Sequence, residues 1–378
     1  MDFIISKAQQ SMQKSAREFL KARCTSEYVR EMEENDTGYT PDFWQKMAEL
    51  DWMALIVPEE YDGLGSNFFD LVLMMEEMGR ACLPGPFFST VVLGAISTML
   101  YGTDKQKDMY LRPIASAQTV MTLAFAEPAT TIYDPCSISA TAVAQDCHYV
   151  ISGTKLFVSD AHVADTMICA VRTSGKMNDR NGISLFLVDT KLSGIHISPL
   201  KTIGGDKQFE VVFHDVKVPK DCILGQQDAG GEQLDRILQY AAVCKCAEMV
   251  GGAEKVLEMA AAYAKERKQF GKPIGCFQSI QHHCANMLMD LDGSRYITYK
   301  AAWLLGNHID CEKEVAIAKA WVSDAYKKIT ALGHQIQGGA AFMKEHDMQL
   351  FSRRAMAAAV AFGDAAFHRN RVARSLGL

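Results

Sequence analysis

A carboxylate and an imidazole lie one helical turn apart near the C-terminal end of the sequence. The stretch RRAMAAAVAFGDAAFHRNR (353–371) places Asp364 after a run of small and apolar residues, and His368 follows four positions later. Side chains with this spacing share one face of a helix. Two interpretations are open: Asp364 is a general base for proton abstraction, or it is an acid neutralised by His368 and Arg369.

Two further segments have residue types that suit the binding of a phosphate or a nucleotide. In KERKQFGK (265–272), Arg267 precedes a turn, and a guanidinium binds phosphate through two parallel hydrogen bonds. The alternative is a solvated arginine on a helix. In GHQIQGGAAF (333–342), the pair Gly338–Gly339 either ends a helix or lets a backbone approach a nucleotide closely.

The histidine and cysteine pairs do not predict a metal site. His282 and His283 are adjacent, so they point about 100° apart on a helix, and Cys244 and Cys246 point roughly 200° apart. The formal net charge of −6 disfavours nucleic acid as a partner. The sequence contains no run of eighteen apolar residues, so no membrane span is predicted. The start of the sequence reads as an amphipathic helix, and eleven cysteines without a C-x-x-C pair favour a cytoplasmic location.

The elements that must position these residues fall into three predicted domains. Residues 1–118 have helical patterns, with Thr40 as an N-cap and Pro41 at the first helical position. Residues 119–228 consist of short β-branched or aromatic runs between turn residues, which predict a sandwich- or barrel-like β-domain. Residues 229–378 return to helices. One apolar repeat runs without a cap from 232 to 267, and three more helices are predicted near 277–306, 311–335 and 345–374. The fold class is therefore α+β, with a C-terminal four-helix bundle.

Five motifs resemble those of the acyl-CoA dehydrogenase family and occur in the family's order. They are LAFAEPATTIYD (123–134), ISGTKLFVSDAHVADTMICAVRT (151–173), FEVVFHDVKVPKDCILG (209–225), AYAKERKQFGKPIGCFQSIQHHCANM (262–287) and GHQIQGGAAF (333–342). The fourth contains Arg–x–x–Phe–Gly followed by Phe–Gln–x–x–Gln. The resemblance covers nearly the whole chain.

The resemblance implies an FAD-binding protein that forms a dimer or tetramer, because the family's arginine segment and glycine turn reach the flavin of a neighbouring subunit. Phe157 stands where the family often has a flavin-stacking tryptophan, and Ser159 stands where it has a threonine at the flavin N5 edge. Ala126 replaces a threonine and retains only its backbone N–H. The loop ATTIYD lacks the family's glycines, so its path stays open. The implied FAD-binding residues are Phe125, Ala126, Phe157, Ser159, Arg267, Gln269, Phe270, Gln335, Gly338 and Gly339.

The catalytic base is the largest departure from the family pattern. The family's glutamate lies in a Tyr–Glu–Gly–Thr stretch, and this chain has AFGD there, with Phe362 in the place of the glutamate. At a second family position, on the long helix, the matching residue is Ala241. Asp364 falls two residues beyond the first position. Phe362 retains the backbone N–H that, in the family, helps to hold the thioester carbonyl.

The resemblance implies FAD-dependent α,β-desaturation of an acyl-CoA thioester, with electrons passed to an electron-transfer flavoprotein. Alanines at 241, 242 and 357–359 fit a branched or ring-bearing acyl group and a role in fatty acid or ring-acid degradation; helix packing explains the same alanines. The alternative is a baseless subunit that binds FAD or shapes the site of a paralogous acyl-CoA dehydrogenase subunit.

Overall fold

The computed structural model describes residues 5–128 and 133–378, and its N-terminal part is helical. Thr40 caps the helix Pro41–Glu49 (α3) as predicted, because its Oγ1 accepts a hydrogen bond from the Phe43 N–H at 3.3 Å and Pro41 begins the helix. A π-helical segment, Phe88–Ala95, leads into α5. The α-helices are α1 Lys7–Arg23, α2 Ser26–Glu34, α3 Pro41–Glu49, α4 Phe68–Arg80, α5 Ile96–Tyr101 and α6 Asp104–Ala115.

The central part is a sheet of the strands β1 Met121–Ala124, β2 Thr141–Gln145, β3 His148–Ser159, β4 Thr166–Arg172, β5 Ile183–Asp189, β6 Ile195–Leu200, β7 Gln208–Pro219 and β8 Ile223–Leu224. Their order in the sheet is β6-β7-β3-β2-β4-β5-β8, and β1 pairs with β4. A single pair, Thr141 with Arg172, joins β2 to β4, so the sheet divides there into two halves. Ile151 and Val211 from one half and Met167 and Phe186 from the other belong to one buried core, as in a sandwich.

The C-terminal part is a helical bundle built around one helix of 37 residues, α7, about 55 Å long at 1.5 Å per residue. A short hairpin, β9 Lys268–Gln269 and β10 Lys272–Pro273, follows it. The predicted α+β class is confirmed. The helices are α7 Gly230–Glu266, α8 Gln278–Gly306, α9 Glu312–Gln337, α10 Met348–Val360 and α11 Ala365–Ser375.

The predicted single helix over 345–374 is wrong, because the chain turns between α10 and α11. Phe362 has φ +56° and Gly363 has φ +105°, which no continuous helix allows. The buried Lys319 ammonium donates to Ala358 O at 3.1 Å, Ala359 O at 3.1 Å and Gly363 O at 2.9 Å. The Lys319 ammonium thus takes the place of the backbone N–H groups that would hydrogen-bond to these carbonyls if the helix continued.

Helices α7 and α9 run parallel and end on the same side of the bundle. A Cβ atom on Gly252 would meet the Tyr326 hydroxyl at 2.3 Å, and one on Gly333 would meet Val256 at 2.8 Å. The residue numbers of the two helices therefore increase in the same direction along their contact. Arg267, at the end of α7, and Gly338, at the end of α9, therefore lie at one end of the bundle.

Candidate active site

A cavity of about 150 Å³ lies where the N-terminal helices, the sheet and the bundle meet. Its walls come from segments far apart in sequence, so it exists only in the folded chain. Ser159 and Phe362, two of the predicted site residues, both line it. The lining residues that matter for its chemistry include Phe88, Ser159, Asp160, Lys245, Arg354 and Phe362.

Phe362 is held in a left-handed backbone conformation that is uncommon outside glycine. His368 Nε2 donates to the Phe362 carbonyl at 3.0 Å, and the Phe362 ring stacks on Phe88. Within the described ranges, no acceptor pairs with the Phe362 N–H. The turn thus leaves a free backbone donor on a residue of the cavity wall, and strained backbone of this kind often marks a functional site.

Ser159 ends strand β3 with its hydroxyl proton free. Gln208 Nε2 donates to Ser159 Oγ at 2.9 Å, and Thr122 Oγ1 donates to the Ser159 carbonyl at 2.6 Å. Because the hydroxyl accepts from Gln208, its own proton remains available to a ligand. Phe157, two residues earlier, has φ +53° and leaves 52% of its surface exposed. An exposed aromatic ring beside a hydroxyl donor suits a planar heteroaromatic ligand.

The loop after β1 is anchored by a buried ion pair. Lys155 Nζ lies 2.5 Å from Glu127 Oε1 and donates to Ala170 O. Burial alone would raise the pKa of Glu127, but the Lys155 ammonium holds it below its usual value. Leu156 N donates to Ala126 O at 2.8 Å, and no acceptor in the described ranges pairs with the Ala126 N–H. Residues 129–132, on which the predicted path of the flavin loop depends, lie outside the described residues.

Asp364 is the N-cap of α11: its Oδ1 accepts a hydrogen bond from the Phe367 N–H at 2.8 Å. The predicted neutralisation by His368 and Arg369 is wrong. Burial and the nearby Lys319 ammonium lower the pKa of His368 to about 4, so the ring is neutral, and Arg369 pairs with Asp324 instead. Asp364 is absent from the cavity lining. The start of α11 stabilises this carboxylate.

Four acids that motif matching did not select line the cavity: Glu33, Asp160, Asp206 and Glu248. Asp160 directly follows Ser159, and its Oδ2 accepts from Ser89 Oγ at 2.6 Å. Burial, with the Asp206 charge, raises the pKa of Asp160 to about 6. Glu248 pairs with Lys245 on α7. Ala241, at the second family position for a base, is fully buried in the helical core rather than on the cavity wall.

The end of the bundle carries the remaining predicted cofactor residues, all at least partly exposed. Phe270 leaves 90% of its surface exposed, and the Arg267 side chain forms no ion pair with the described residues. Gly338 has φ +68°, and a Cβ atom on it or on Gly339 would meet nothing within 4 Å. Arg267 follows Met249 of the cavity by eighteen residues, about 27 Å along the helix. The structure therefore separates these residues from the cavity of the same chain.

Neither a metal cluster nor a membrane span is found in the described part of the chain. Across residues 5–128 and 133–378, no three His, Cys, Asp or Glu side chains are grouped so as to hold a metal ion. No helix in those ranges combines the length and apolar content needed to cross a bilayer.

The arrangement of helices, sheet and bundle around this cavity defines a class of flavin-dependent oxidoreductase. Three family models match the chain: the N-terminal domain (residues 6–118), the middle domain (122–216) and the C-terminal domain (228–377) of acyl-CoA dehydrogenase. The chain belongs to the acyl-CoA dehydrogenase family.

Similar proteins agree with this assignment. The chain is 33% identical to a probable acyl-CoA dehydrogenase, YngJ, of Bacillus subtilis, over 100% of both chains. It is 30% identical to CarC, a subunit of the caffeyl-CoA reductase–Etf complex of Acetobacterium woodii, over 92% of each. A glutaryl-coenzyme A dehydrogenase, solved with glutaryl-CoA, superimposes with a TM-score of 0.93 at 28% identity, covering 100% of this chain and 97% of that one.

Members of this family are FAD-dependent, and the residues present fit that cofactor. Phe157 offers an exposed ring beside the free proton of Ser159. Arg267 offers an unpaired guanidinium, and the two glycines offer open backbone. These groups match the flat ring system and the phosphates of a flavin dinucleotide.

Proposed function

We propose that the chain catalyses FAD-dependent α,β-desaturation of an acyl-CoA thioester and passes the electrons to an electron-transfer flavoprotein. The observation that carries this proposal is the free Phe362 N–H, which belongs to the same cavity as the Ser159 hydroxyl. The relative in the caffeyl-CoA reductase–Etf complex supports both an acyl-CoA substrate and an Etf partner. Ala357 and Ala358 leave room on the α10 wall, which fits a branched or ring-bearing acyl group.

Each predicted residue has a distinct task in this proposal. The Phe362 N–H donates to the thioester carbonyl and stabilises the negative charge that develops there when the α-proton is removed. The carboxylates of the cavity wall, among them Asp160 and Glu248, are the groups available to accept that proton. FAD, when bound, would supply the acceptor for the β-hydride. Phe157 would hold the cofactor ring and the Ser159 hydroxyl would donate to it. Phe125 and Ala126 would contribute their backbone to the same site.

A complete site needs a second copy of the chain or a related subunit. Arg267, Gln269, Phe270, Gln335, Gly338 and Gly339 lie at the bundle end, exposed for the most part. Because Arg267 is about 27 Å along α7 from the cavity, these residues serve the cofactor of the adjacent subunit. We therefore propose a dimer or tetramer. All eleven cysteines are free, which supports a reducing cytoplasmic location.

A second candidate function is that of a baseless subunit in a heteromer with a paralogous acyl-CoA dehydrogenase. It is favoured by one observation: neither family position for the base holds an acid, and Asp364 caps a helix. In that case the partner supplies its own glutamate. This chain then contributes FAD-binding residues or the shape of the shared interface.

The purified chain, assayed with added FAD and a panel of acyl-CoAs, separates these candidates. We expect flavin absorbance and a dimer or tetramer by sedimentation. Turnover by the homo-oligomer supports the enzyme. Turnover that appears only with a co-purified paralogue supports the subunit. A colourless protein that ignores added FAD, or a flavin-saturated monomer at micromolar concentration, contradicts the proposed site.

A further inference from the structure

Arg354 brings an unpartnered guanidinium to the cavity wall. It lies on α10, and its Nε is enclosed without a hydrogen-bond partner. None of its five N–H donors is matched to an acceptor among the residues that the structure describes. A guanidinium remains charged at any physiological pH, and an enclosed N–H donor without an acceptor is unfavourable. The Arg354 guanidinium is therefore free to bind a ligand that carries a hydrogen-bond acceptor.

The acids around Arg354 already have other donors. Asp206 accepts from Thr202 Oγ1 at 2.6 Å and from Gln208 Nε2 at 2.7 Å. Glu33 accepts two hydrogen bonds from Arg353, at 2.7 and 3.0 Å. Because these carboxylates accept hydrogen bonds from other residues, neither of them forms a hydrogen bond with the Arg354 guanidinium.

The two remaining acids of the cavity are engaged as well. Asp160 accepts from Ser89, and Glu248 pairs with Lys245. The fixed charges of this region are close to balance. Four acids, Glu33, Asp160, Asp206 and Glu248, face four cations, Lys207, Lys245, Arg353 and Arg354.

Tyr326 supplies a second free donor on the same wall. Burial raises the pKa of Tyr326 well above its usual value, so the hydroxyl stays protonated. The hydroxyl makes no hydrogen bond with any residue in the described ranges, and Tyr326 lines the cavity with Arg354. The cavity wall thus includes two residues with unpartnered donors, while its carboxylates accept hydrogen bonds or ion pairs from other residues.

We propose that Arg354 and Tyr326 bind a carboxylate at the distal end of the acyl chain, so that the preferred substrates are ω-carboxyacyl-CoA thioesters. This inference rests on the proposed function. Arg354 lies six residues, about 9 Å along the helix axis, before Val360, where α10 ends, and Phe362 lies in the turn beyond that end. The carboxylate therefore sits far from the α and β carbons, which lie near the Phe362 N–H. A carboxylate matches the guanidinium fork through two parallel hydrogen bonds.

Calorimetric binding to the FAD-loaded oligomer, without an electron acceptor, tests the subsite. The probes are butyryl-CoA and hexanoyl-CoA, the ω-carboxyl series succinyl-, glutaryl-, adipyl- and suberyl-CoA, and adipyl-CoA with its free carboxyl converted to the amide. We expect at least one ω-carboxyl thioester to bind about tenfold or more tightly than its methyl-ended or amide counterpart. Arg354→Met should abolish that preference, and Tyr326→Phe should reduce it. Lys207→Met is the matched control, because it removes another cation of the cavity wall, whose ammonium donates to the backbone carbonyl of Glu33 and so leaves every carboxylate with its partner.

The outcomes separate this inference from the proposed function. Tight binding of butyryl-CoA with no gain from any ω-carboxyl group leaves the function standing and overturns the subsite. A preference for the ω-carboxyl thioester that persists in Arg354→Met also overturns the subsite. Binding of none of the thioesters contradicts the function itself. If Arg354→Met fails to fold, the unmodified protein's preference and the Tyr326→Phe variant still decide the question.

Discussion

The Phe88 and Phe362 rings stack with centroids 5.4 Å apart and planes inclined by 14°. The Lys245 ammonium lies 4.0 Å from the centroid of the Phe88 ring. An aromatic pair beside a cation thus occupies the place where the family's sequence pattern has a glutamate. The stack fixes the Phe362 side chain, while the backbone of the same residue keeps its N–H free. In the family pattern, one residue supplies both the catalytic base and the N–H that binds the thioester carbonyl. In this chain, Phe362 supplies only the N–H.

Phe362→Glu is expected to raise turnover of a straight-chain thioester such as butyryl-CoA by about 10²–10⁴-fold, the usual contribution of a positioned base. The loss of the aromatic stack costs about 1 kcal/mol, and Lys245 lies near enough to favour the ionised glutamate. A dye-coupled assay normalised to bound flavin measures the change.

Phe362→Gln is the control for that experiment, because it has a similar shape and no base. An equal rise in both variants would show that removal of the aromatic stack, rather than a new base, is responsible. Ordinary family rates in the unmodified homo-oligomer, left unchanged by Asp364→Asn, would show that the assignment of the base position is wrong.

Asp364→Asn is expected to leave stability, flavin content and turnover unchanged, because asparagine also accepts a hydrogen bond from the Phe367 N–H. Asp364→Ala should lower the free energy of unfolding by about 1 kcal/mol through loss of the cap. Thermal unfolding and the acyl-CoA assay measure the two effects. Loss of turnover in Asp364→Asn with flavin retained would identify Asp364 as the base.

Arg267→Ala should weaken FAD binding by about 2 kcal/mol, roughly 30-fold, through loss of charge-assisted hydrogen bonds to phosphate. Flavin retained after gel filtration, and titration of the flavin-free protein, report the change. Lys268→Ala is the matched control, since it removes a charge from the next exposed position. Equal losses in both variants would indicate a general electrostatic effect rather than direct recognition by Arg267.

The sequence predicts features that depend on local patterns and misses those that depend on distant contacts. Thr40 and Pro41 mark the start of α3 because a cap involves only neighbouring residues. The break after α10 depends on Lys319, which donates to Gly363 from 44 positions away. Because the sequence does not reveal that turn, it also does not reveal that Asp364 caps a helix.

Motif matching also finds Ser159 but not Arg354. The cofactor pattern is local to β3, whereas a guanidinium on α10 becomes a cavity residue only when the helix packs beside the sheet. Its lack of a partner is a property of several segments together. The predicted FAD-binding residues and domain boundaries stay predictions.

Asp160→Asn is expected to change how stability depends on pH. Burial and the Asp206 charge raise the pKa of Asp160 from 3.8 to about 6, so the folded chain binds this proton more tightly than the unfolded chain. The stability that the protonated group contributes is present below about pH 3.8 and is lost as the pH rises through 6. The resulting cost approaches about 3 kcal/mol above pH 7. Asparagine keeps an acceptor for Ser89 and does not titrate, so the variant should gain thermal stability over the unmodified protein between pH 5 and pH 7.5. Comparing the two proteins at each pH cancels other groups, including His368, whose depressed pKa has the opposite effect. A difference in unfolding temperature that is independent of pH would show that the Asp160 carboxyl is not perturbed.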